Sequence, residues 1–285
     1  MDAWIYILLS SFCSILVAHL LKFTEYERLD TLRVLVVNYF AASLIALLTV
    51  GGVPDIDQQA RLIPMMFLAV VVGIIFIANF FIFSKSTHLN GLGISVAAMR
   101  LSLIIPVLLS TFWYLEWLEF REWAGVLLVF ISLFLLLPEK GSLLKRPLQA
   151  GWLLLMIFLL TGIGDSSFKI FETEYYHLLP KEAFMGAVFL TAMVTGILVL
   201  TARNNWAFTR REVITGCLLG IPNLYSTLFL IEALALMRGG IVYTAANLLT
   251  VLGATLLGIV WWKDRLTSVQ WGGIVLTLVS ILLLI

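Results

Sequence analysis

GLGISVAAMRLSLIIPVLLSTFWYLEWLEFREWAGVLLVFISLFLLL, residues 91–137, lies without a gap on GGIVYTAANLLTVLGATLLGIVWWKDRLTSVQWGGIVLTLVSILLLI, residues 239–285. Gly91 meets Gly239, Ala97 and Ala98 meet Ala245 and Ala246, Trp113 meets Trp261, Glu116 meets Asp264, Trp123 meets Trp271, Gly125 meets Gly273 and Ser132 meets Ser280. The chain therefore reads as a duplicated unit. In a membrane protein, duplicated halves are a common way to build two gates around one site.

Composition sets the solvent. With 61% hydrophobic and 12% charged residues and a mean hydropathy of +1.05, 285 residues cannot hide their apolar side chains in a soluble core. A helix needs about 17 to 25 apolar residues to cross the hydrocarbon. Ten such runs recur, at roughly 3–21, 33–50, 62–84, 91–114, 122–138, 150–171, 183–202, 212–236, 239–262 and 268–285. The nine tryptophans fall at or just beyond the ends of these runs, where amphipathic rings sit among headgroups. A membrane β-barrel would need alternation of polar and apolar residues, which VLLVFISLFLLL lacks. Asp2 and the absence of a basic leader make the first run a span rather than a cleaved signal. Cys13 and Cys217 lie inside runs with no zinc or disulfide spacing and read as packing residues.

The most polar connection, PEKGSLLKRP at 138–147, divides the chain into a first unit (1–138), a linker (139–149) and a second unit (150–285). Five spans in each make the second copy upside down relative to the first. Connections after odd-numbered runs hold Lys22, Arg28, Arg33, Lys85, Lys140, Lys145, Arg146, Arg203, Arg210, Arg211, Lys263 and Arg265. Those after even-numbered runs hold only Arg61, Arg121, Lys181 and Arg238. The positive-inside rule then puts the odd connections in the cytoplasm and both termini outside.

Pro106 in mid-helix, Glu116 at the helix end, then Trp123 and Gly125 form one set; Lys263-Asp264-Arg265-Leu266-Thr267 followed by Gly272 and Gly273 forms its second copy. Together they resemble the two EamA repeats of the drug/metabolite transporter superfamily. The first half departs from the family-like turn, reading Glu-Trp-Leu-Glu. The first helices match as well: SILVAHLLKF (14–23) on TGIGDSSFKI (161–170) brings Lys22 onto Lys169, similar to the Lys-ended first helix common in that family. The resemblance covers essentially the whole chain. It implies an all-α membrane protein of ten helices in two inverted five-helix repeats, in the bacterial inner membrane. It also implies a secondary transporter with a central cavity opened alternately to each side.

Charges inside the membrane are the best clues to a site, because each costs a few kcal/mol to bury. Arg100 stands near the middle of the fourth run opposite Leu248 in the repeat, so the shared scaffold does not demand it. It is read either as a cavity-lining contact for substrate or ion, or as a structural partner of a buried carboxylate or carbonyl. Glu232 replaces Ser84 of the first copy. It is either a protonatable coupling group or one end of a static ion pair with Arg100 or Arg238. Asp165 and Lys169, four apart, suit an intrahelical pair; alternatively Lys169 snorkels, or joins Arg100 in a cavity attractive to a carboxylate or phosphate. Lys22 reads as an interfacial charge, and His19 as a packing residue or a proton relay. Gly216, Gly220, Pro222 and Asn223 suggest a bend in the eighth run. Asn38, Asn79 and Asn247 are polar groups within spans, lining a cavity or bonding between helices.

Gly239, Gly240, Gly253 and Gly258 follow no strand and read as close-approach positions rather than a nucleotide loop. GIGD at 162–165 has the form found in intramembrane aspartyl proteases, yet the preceding run holds no second acid after Glu122. A dyad needs two carboxylates. With no HExxH, nucleophile elbow, Walker loop or metal-spaced cluster either, the expectation is a non-enzyme without cofactor or metal. Its expected partners are the lipid bilayer, a small-molecule substrate such as an amino acid or other carboxylate-bearing metabolite, and a coupling proton, with no nucleic acid. A lipid-linked carrier or a scaffold without transport is the alternative.

Overall fold

The computed structural model describes residues 2–51, 59–136, 150–263 and 266–285. The linker at 139–149 and the turn residues Asp264 and Arg265 lie outside the described residues. The elements are α1 (Ala3–Tyr26), α2 (Thr31–Leu48), α3 (Gln59–Asn90), α4 (Leu92–Leu101), α5 (Ile104–Leu108) continued by a π turn (Leu109–Trp113), α6 (Phe120–Leu136), α7 (Gly151–Tyr175), α8 (Lys181–Ala202), α9 (Arg210–Leu236), α10 (Gly239–Trp262) and α11 (Ser268–Leu284). Among the described residues there is no strand. Eight stretches are long and apolar enough to cross a membrane, α4 through the π turn counting as one; α6 and α11 reach 17 residues each. Helices satisfy every backbone group internally, which is what hydrocarbon requires. The protein is an all-helical, multi-pass membrane protein. Trp113, Trp117, Trp152, Trp206, Trp261 and Trp271 all expose their rings.

Hydropathy alone underestimates several helices. α1 runs on to Tyr26 and α3 to Asn90, because backbone hydrogen bonding continues after the apolar run ends. In α3 the polar end is anchored: Lys85 Nζ sits 5.8 Å from the ring centre of Trp152, and Asn90 exchanges two hydrogen bonds of 3.1 Å with the backbone of Ala150, just before α7. The fourth run, expected to be one helix, is broken at Ser102 and Leu103. Pro106 has no N–H to give to Ser102 and its ring crowds that carbonyl. The Ser102 carbonyl instead accepts from Ile105 N–H at 2.9 Å, and the Arg100 carbonyl from Leu103 N–H at 3.3 Å. At Pro222, by contrast, α9 keeps its helical assignment from Arg210 to Leu236. Gly216 and Gly220 are a contact seam: a Cβ on either would come within 2.9 Å of α2, meeting Val37 and the Val34 carbonyl or Ala41 and the Asn38 carbonyl.

The helices form two compact units, each drawing on both sequence halves: Met1–Ile77 with Ile170–Ala235, and Ala78–Lys169 with Leu236–Ile285. The first unit is centred on α2 packed against α8. Tyr39 stacks on Phe189 at 5.8 Å, and Phe76 of α3 closes on both rings. A Cβ on Gly196 of α8 would meet Val36 at 2.6 Å, so the absent side chain sets the helix spacing. Asp30 caps α2 by accepting from Leu32 and Arg33 N–H. Glu212 accepts from Thr209 and Asp30 N–H and takes Arg33 at 3.4 Å, tying the starts of α2 and α9 together.

The second unit is centred on α6 packed against α11. Ser132 and Thr277 hydroxyls lie 2.5 Å apart, and Ser280 Oγ donates to the Gly125 carbonyl at 2.7 Å. A Cβ on Gly125 would meet Leu284 at 3.1 Å, and one on Gly273 would meet Leu136 at 2.9 Å. These contacts are reciprocal in the sequence alignment, since Gly125 matches Gly273 and Leu136 matches Leu284.

Candidate functional site

The break after α4 positions Arg100. It stands in the last turn of that helix, partly accessible, and donates through Nη1 to the Asn247 side-chain oxygen of α10 at 3.2 Å. Asn247 adjoins Leu248, the repeat counterpart of Arg100. Asp165 of α7 is an acid of the same unit, within a spanning helix. Among the described residues, however, no carboxylate lies within ion-pair distance of the guanidinium, and the Asp165 carboxylate makes no hydrogen bond. A guanidinium carries five N–H donors. Among the described residues Arg100 thus keeps most of its donors unmatched by side chains.

The neighbours of Asp165 repeat at helical spacing along α7. Thr161, Asp165 and Lys169, four apart, form one polar stripe about 12 Å long at 1.5 Å per residue. Thr161 Oγ1 accepts from the Asn79 amide of α3 at 3.0 Å, while Asn79 Oδ1 is buried without a partner among the described residues. Tyr243 of α10 donates to the Asp165 carbonyl at 2.7 Å. Between Thr161 and Asp165, a Cβ on Gly162 would fall 2.3 Å from Ile105 Cδ1, so glycine there lets α5 approach α7.

Lys169 corrects the local expectation. Its ammonium bonds Glu116 at 2.6 Å rather than Asp165 on its own helix, and lies 5.9 Å from the Tyr114 ring centre. Glu116 also accepts from Gly239 N–H at 2.6 Å and from the Ser110 hydroxyl. It therefore caps the first turn of α10, where a carboxylate meets the positive end of the helix dipole. The sequence did hold a signal: Glu116 stands at a helix end in a repeat-matched position.

Glu232 is corrected too. The cation that takes it is Lys181 of the first unit, not an arginine, and Tyr176 donates to the same oxygen at 3.1 Å. Burial first, and then the Glu232 charge, push the Tyr176 phenol above its ordinary range. Lys181 had counted only as a loop charge, and its position at the first residue of α8 is what brings it to Glu232. Arg238 is held by Glu122 and the Trp117 carbonyl. Asn223 donates to Asn38 Oδ1 at 3.2 Å, an interhelical amide pair between α9 and α2.

The predicted residues thus separate. Arg100, Asn247, Asn79 and Lys169, with Asp165, belong to the second unit; Glu232 and Asn223 belong to the first. Among the described residues no cluster of His, Cys, Asp and Glu is built to hold a metal.

No family model matches the chain. An "uncharacterized protein" of Haemophilus influenzae is 29% identical over 278 residues, covering 94% of this chain and 93% of that one. A solved crystal structure of a protein superposes with a TM-score of 0.69 at 16% identity, covering 97% of this chain and 95% of the other, so the fold recurs in a crystallised chain.

Proposed function

We propose that the protein is a secondary transporter of a small, carboxylate-bearing organic solute, working by alternating access between two inverted five-helix repeats of the EamA kind. On this reading it is not an enzyme, it has ten spans, and it lies in a bacterial inner membrane with both termini outside. The observation that carries the proposal is Arg100. A guanidinium at the end of a discontinuous membrane helix, bonded to one amide and to no contacting carboxylate among the described residues, has donors left for an anion. A fork of parallel N–H groups matches a carboxylate better than any other common anion except phosphate.

The unmatched acceptor of Asn79 adds a second point of recognition. Thr161, which holds Asn79, is one helical turn from Asp165. A solute carrying both a carboxylate and a hydrogen-bond donor offers a group to each, as hydroxy and amino acids do. The repeat reading is supported by the reciprocal contacts of α6 and α11. Equivalent residues contact each other's equivalents in this way when two copies are related by a twofold.

The test is uptake by proteoliposomes holding the full chain, offered a radiolabelled pool of amino acids and mono- and dicarboxylates, with and without a pH gradient. Saturable uptake of a carboxylate, lost in Arg100→Gln protein that inserts normally, supports the proposal. Equal uptake by wild type and Arg100→Gln refutes the assigned site, and no uptake of any carboxylate refutes the substrate class.

A further inference from the structure

The connection between α1 and α2 meets that between α8 and α9 at one end of the first unit. Asp30 accepts from Leu32 and Arg33 N–H and from the Asn205 amide at 2.7 Å, and Glu212 takes Arg33 at 3.4 Å. This network commits Asp30 and Glu212 within the protein. What faces outward is unequal: Lys22, Arg28, Arg203, Arg210 and Arg211 are exposed, against Glu25 and the partly exposed Glu27. Tyr26 and Trp206 expose their rings at the same end, the placement of an aromatic belt among headgroups. Beside these charges α1 and α9 enclose a groove of about 400 Å³, lined by Phe23, Glu27, Arg211, Ile214, Thr215 and Leu218. Glu27 and Arg211, bonded at 2.7 Å, stand where α1 ends and α9 begins. One turn inward come Phe23 on α1 and Ile214 and Thr215 on α9. Leu218 lies a turn deeper, about 10 Å from Arg211 at 1.5 Å per residue. Offsets of three, four and seven put these residues on one face of α9. Phe23, Ile214 and Leu218 all stay exposed along it. The groove is thus charged at its outer end and apolar inward, which is the order of a phospholipid.

We propose that this groove binds one anionic phospholipid, with its phosphate on Arg211 and the start of one acyl chain along Phe23, Ile214 and Leu218. The inference stands on the spanning helices and not on the transporter reading. The Arg211 side chain is 76% exposed, and among the described residues it gives only Nη1 to Glu27. The rest of its fork is open to a phosphate, which a guanidinium matches with parallel N–H groups. An ion pair this exposed contributes little by itself, so sharing Arg211 with a headgroup forfeits little. The surrounding excess of cations adds to the attraction: each basic residue near a membrane surface favours anionic lipid by about fivefold. Glu27 sets the kind of headgroup. A carboxylate beside a phosphodiester needs a donor between them, and the glycerol hydroxyls of phosphatidylglycerol supply it. Ethanolamine offers Glu27 an ammonium but leaves a lipid with no net charge to answer the other cations, and choline offers no donor at all. A free phosphate would use Arg211 and leave the apolar strip bare.

Native mass spectrometry of the full chain, released from detergent holding equal amounts of phosphatidylglycerol, phosphatidylethanolamine and phosphatidylcholine with the same acyl chains, reads the occupant. Wild type should retain a first phosphatidylglycerol at least about fivefold over phosphatidylcholine. Arg211→Gln should bring that ratio close to one. Arg121→Gln, which removes an exposed arginine of the second unit, should leave it unchanged. Leu218→Trp keeps every charge but fills the apolar strip, and it should also lose the first phosphatidylglycerol. Equal retention of the three lipids by wild type, or an undiminished ratio in Arg211→Gln, overturns the proposal. So does an equal loss in Arg121→Gln, which would show attraction to surface charge in general. Phosphatidylethanolamine retained above phosphatidylglycerol overturns the headgroup assignment. Displacement of the lipid by millimolar inorganic phosphate would make Arg211 a simple anion site, and a dimer mass lost in Leu218→Trp would make the groove a contact between copies; either result overturns lipid as the occupant. A second measurement needs no variant. A lipid that binds only the folded chain raises its unfolding midpoint, so wild type should unfold at a higher temperature with phosphatidylglycerol than with phosphatidylcholine, and equal midpoints overturn the proposal.

Discussion

Lys181 and Glu232 touch, and Tyr176 closes on the same carboxylate oxygen; among the described residues Arg100 and Asp165 make no ion pair with each other, and the guanidinium bonds an amide. Both couples put an acid and a base on helices of one unit. They differ in what remains to be satisfied. The first pair sits at the beginning of α8 and close to the end of α9, each side chain about a fifth exposed, with its capacity filled locally. The second sits where α4 breaks, with unfilled donors on one partner and an unbonded carboxylate on the other. A filled pair is a clasp, whereas an unfilled one is a place for a third group.

The largest effect should come from breaking the unfilled couple. Replacing Arg100 by Gln removes the charge but keeps an amide that can still meet Asn247, so helix packing should survive. Truncating one partner of a desolvated charge contact costs about 2 to 5 kcal/mol, so uptake should fall by about 30-fold or more at limiting solute. Reconstituted uptake, with insertion checked by protease protection, measures this.

Next comes the Lys169–Glu116 pair, which is filled but deeply buried on the lysine side. Glu116→Gln neutralises the nearest carboxylate of a desolvated ammonium and should cost about 3 kcal/mol of stability. Lys169→Met should cost less, because Glu116 is partly exposed and still accepts from Gly239 N–H and Ser110. The double variant should recover most of the loss. Thermal unfolding in detergent reads all three, and a double variant no better than Glu116→Gln would show that the pair is not the source of the cost.

These couples also mark how far the sequence was legible. The apolar runs, the tryptophan positions and Arg100 as an outlier against Leu248 are one-dimensional signals, and the helices follow them. The partner of each charge was not legible. Lys169 has Asp165 at the favourable spacing on its own helix, yet bonds Glu116 from a distant segment. Local spacing tells which residues share a face; it does not tell which face meets which neighbour. That rotation is ordinarily read from an apolar stripe, and helices such as α2 and α8 are apolar all round. The glycines carry the missing phase instead: Gly216 and Gly220 mark the face of α9 that meets α2, although in sequence they read as a hinge beside Pro222.

That seam gives a third, smaller effect. Gly220→Leu in α9 would drive a side chain into Ala41 and the Asn38 carbonyl, separating α9 from α2 and straining the Asn223–Asn38 bond. Overpacking of this kind costs about 1 to 3 kcal/mol. The unfolding midpoint should drop while the apparent affinity for solute stays unchanged, because both helices at that contact belong to the first unit and Arg100 to the second. A change in affinity with stability preserved would argue that the seam moves during transport.

The smallest effect should come from the clasp. Lys181→Met leaves Glu232 about a fifth exposed and still accepting from Tyr176. Exposed or half-exposed ion pairs contribute about 0 to 1 kcal/mol, since water replaces much of what the partner supplied. Glu232→Gln keeps an acceptor for the tyrosine and removes only the charge. Both variants should therefore unfold within about 1 kcal/mol of wild type and accumulate solute to the same ratio under the same pH gradient. Equal accumulation is the informative half of this result. Glu232 is an acid in a spanning helix, and by sequence alone either the coupling group or one end of a static ion pair. If accumulation collapses in Glu232→Gln while exchange continues, the filled pair carries the coupling proton, and the contrast between the two couples is reversed.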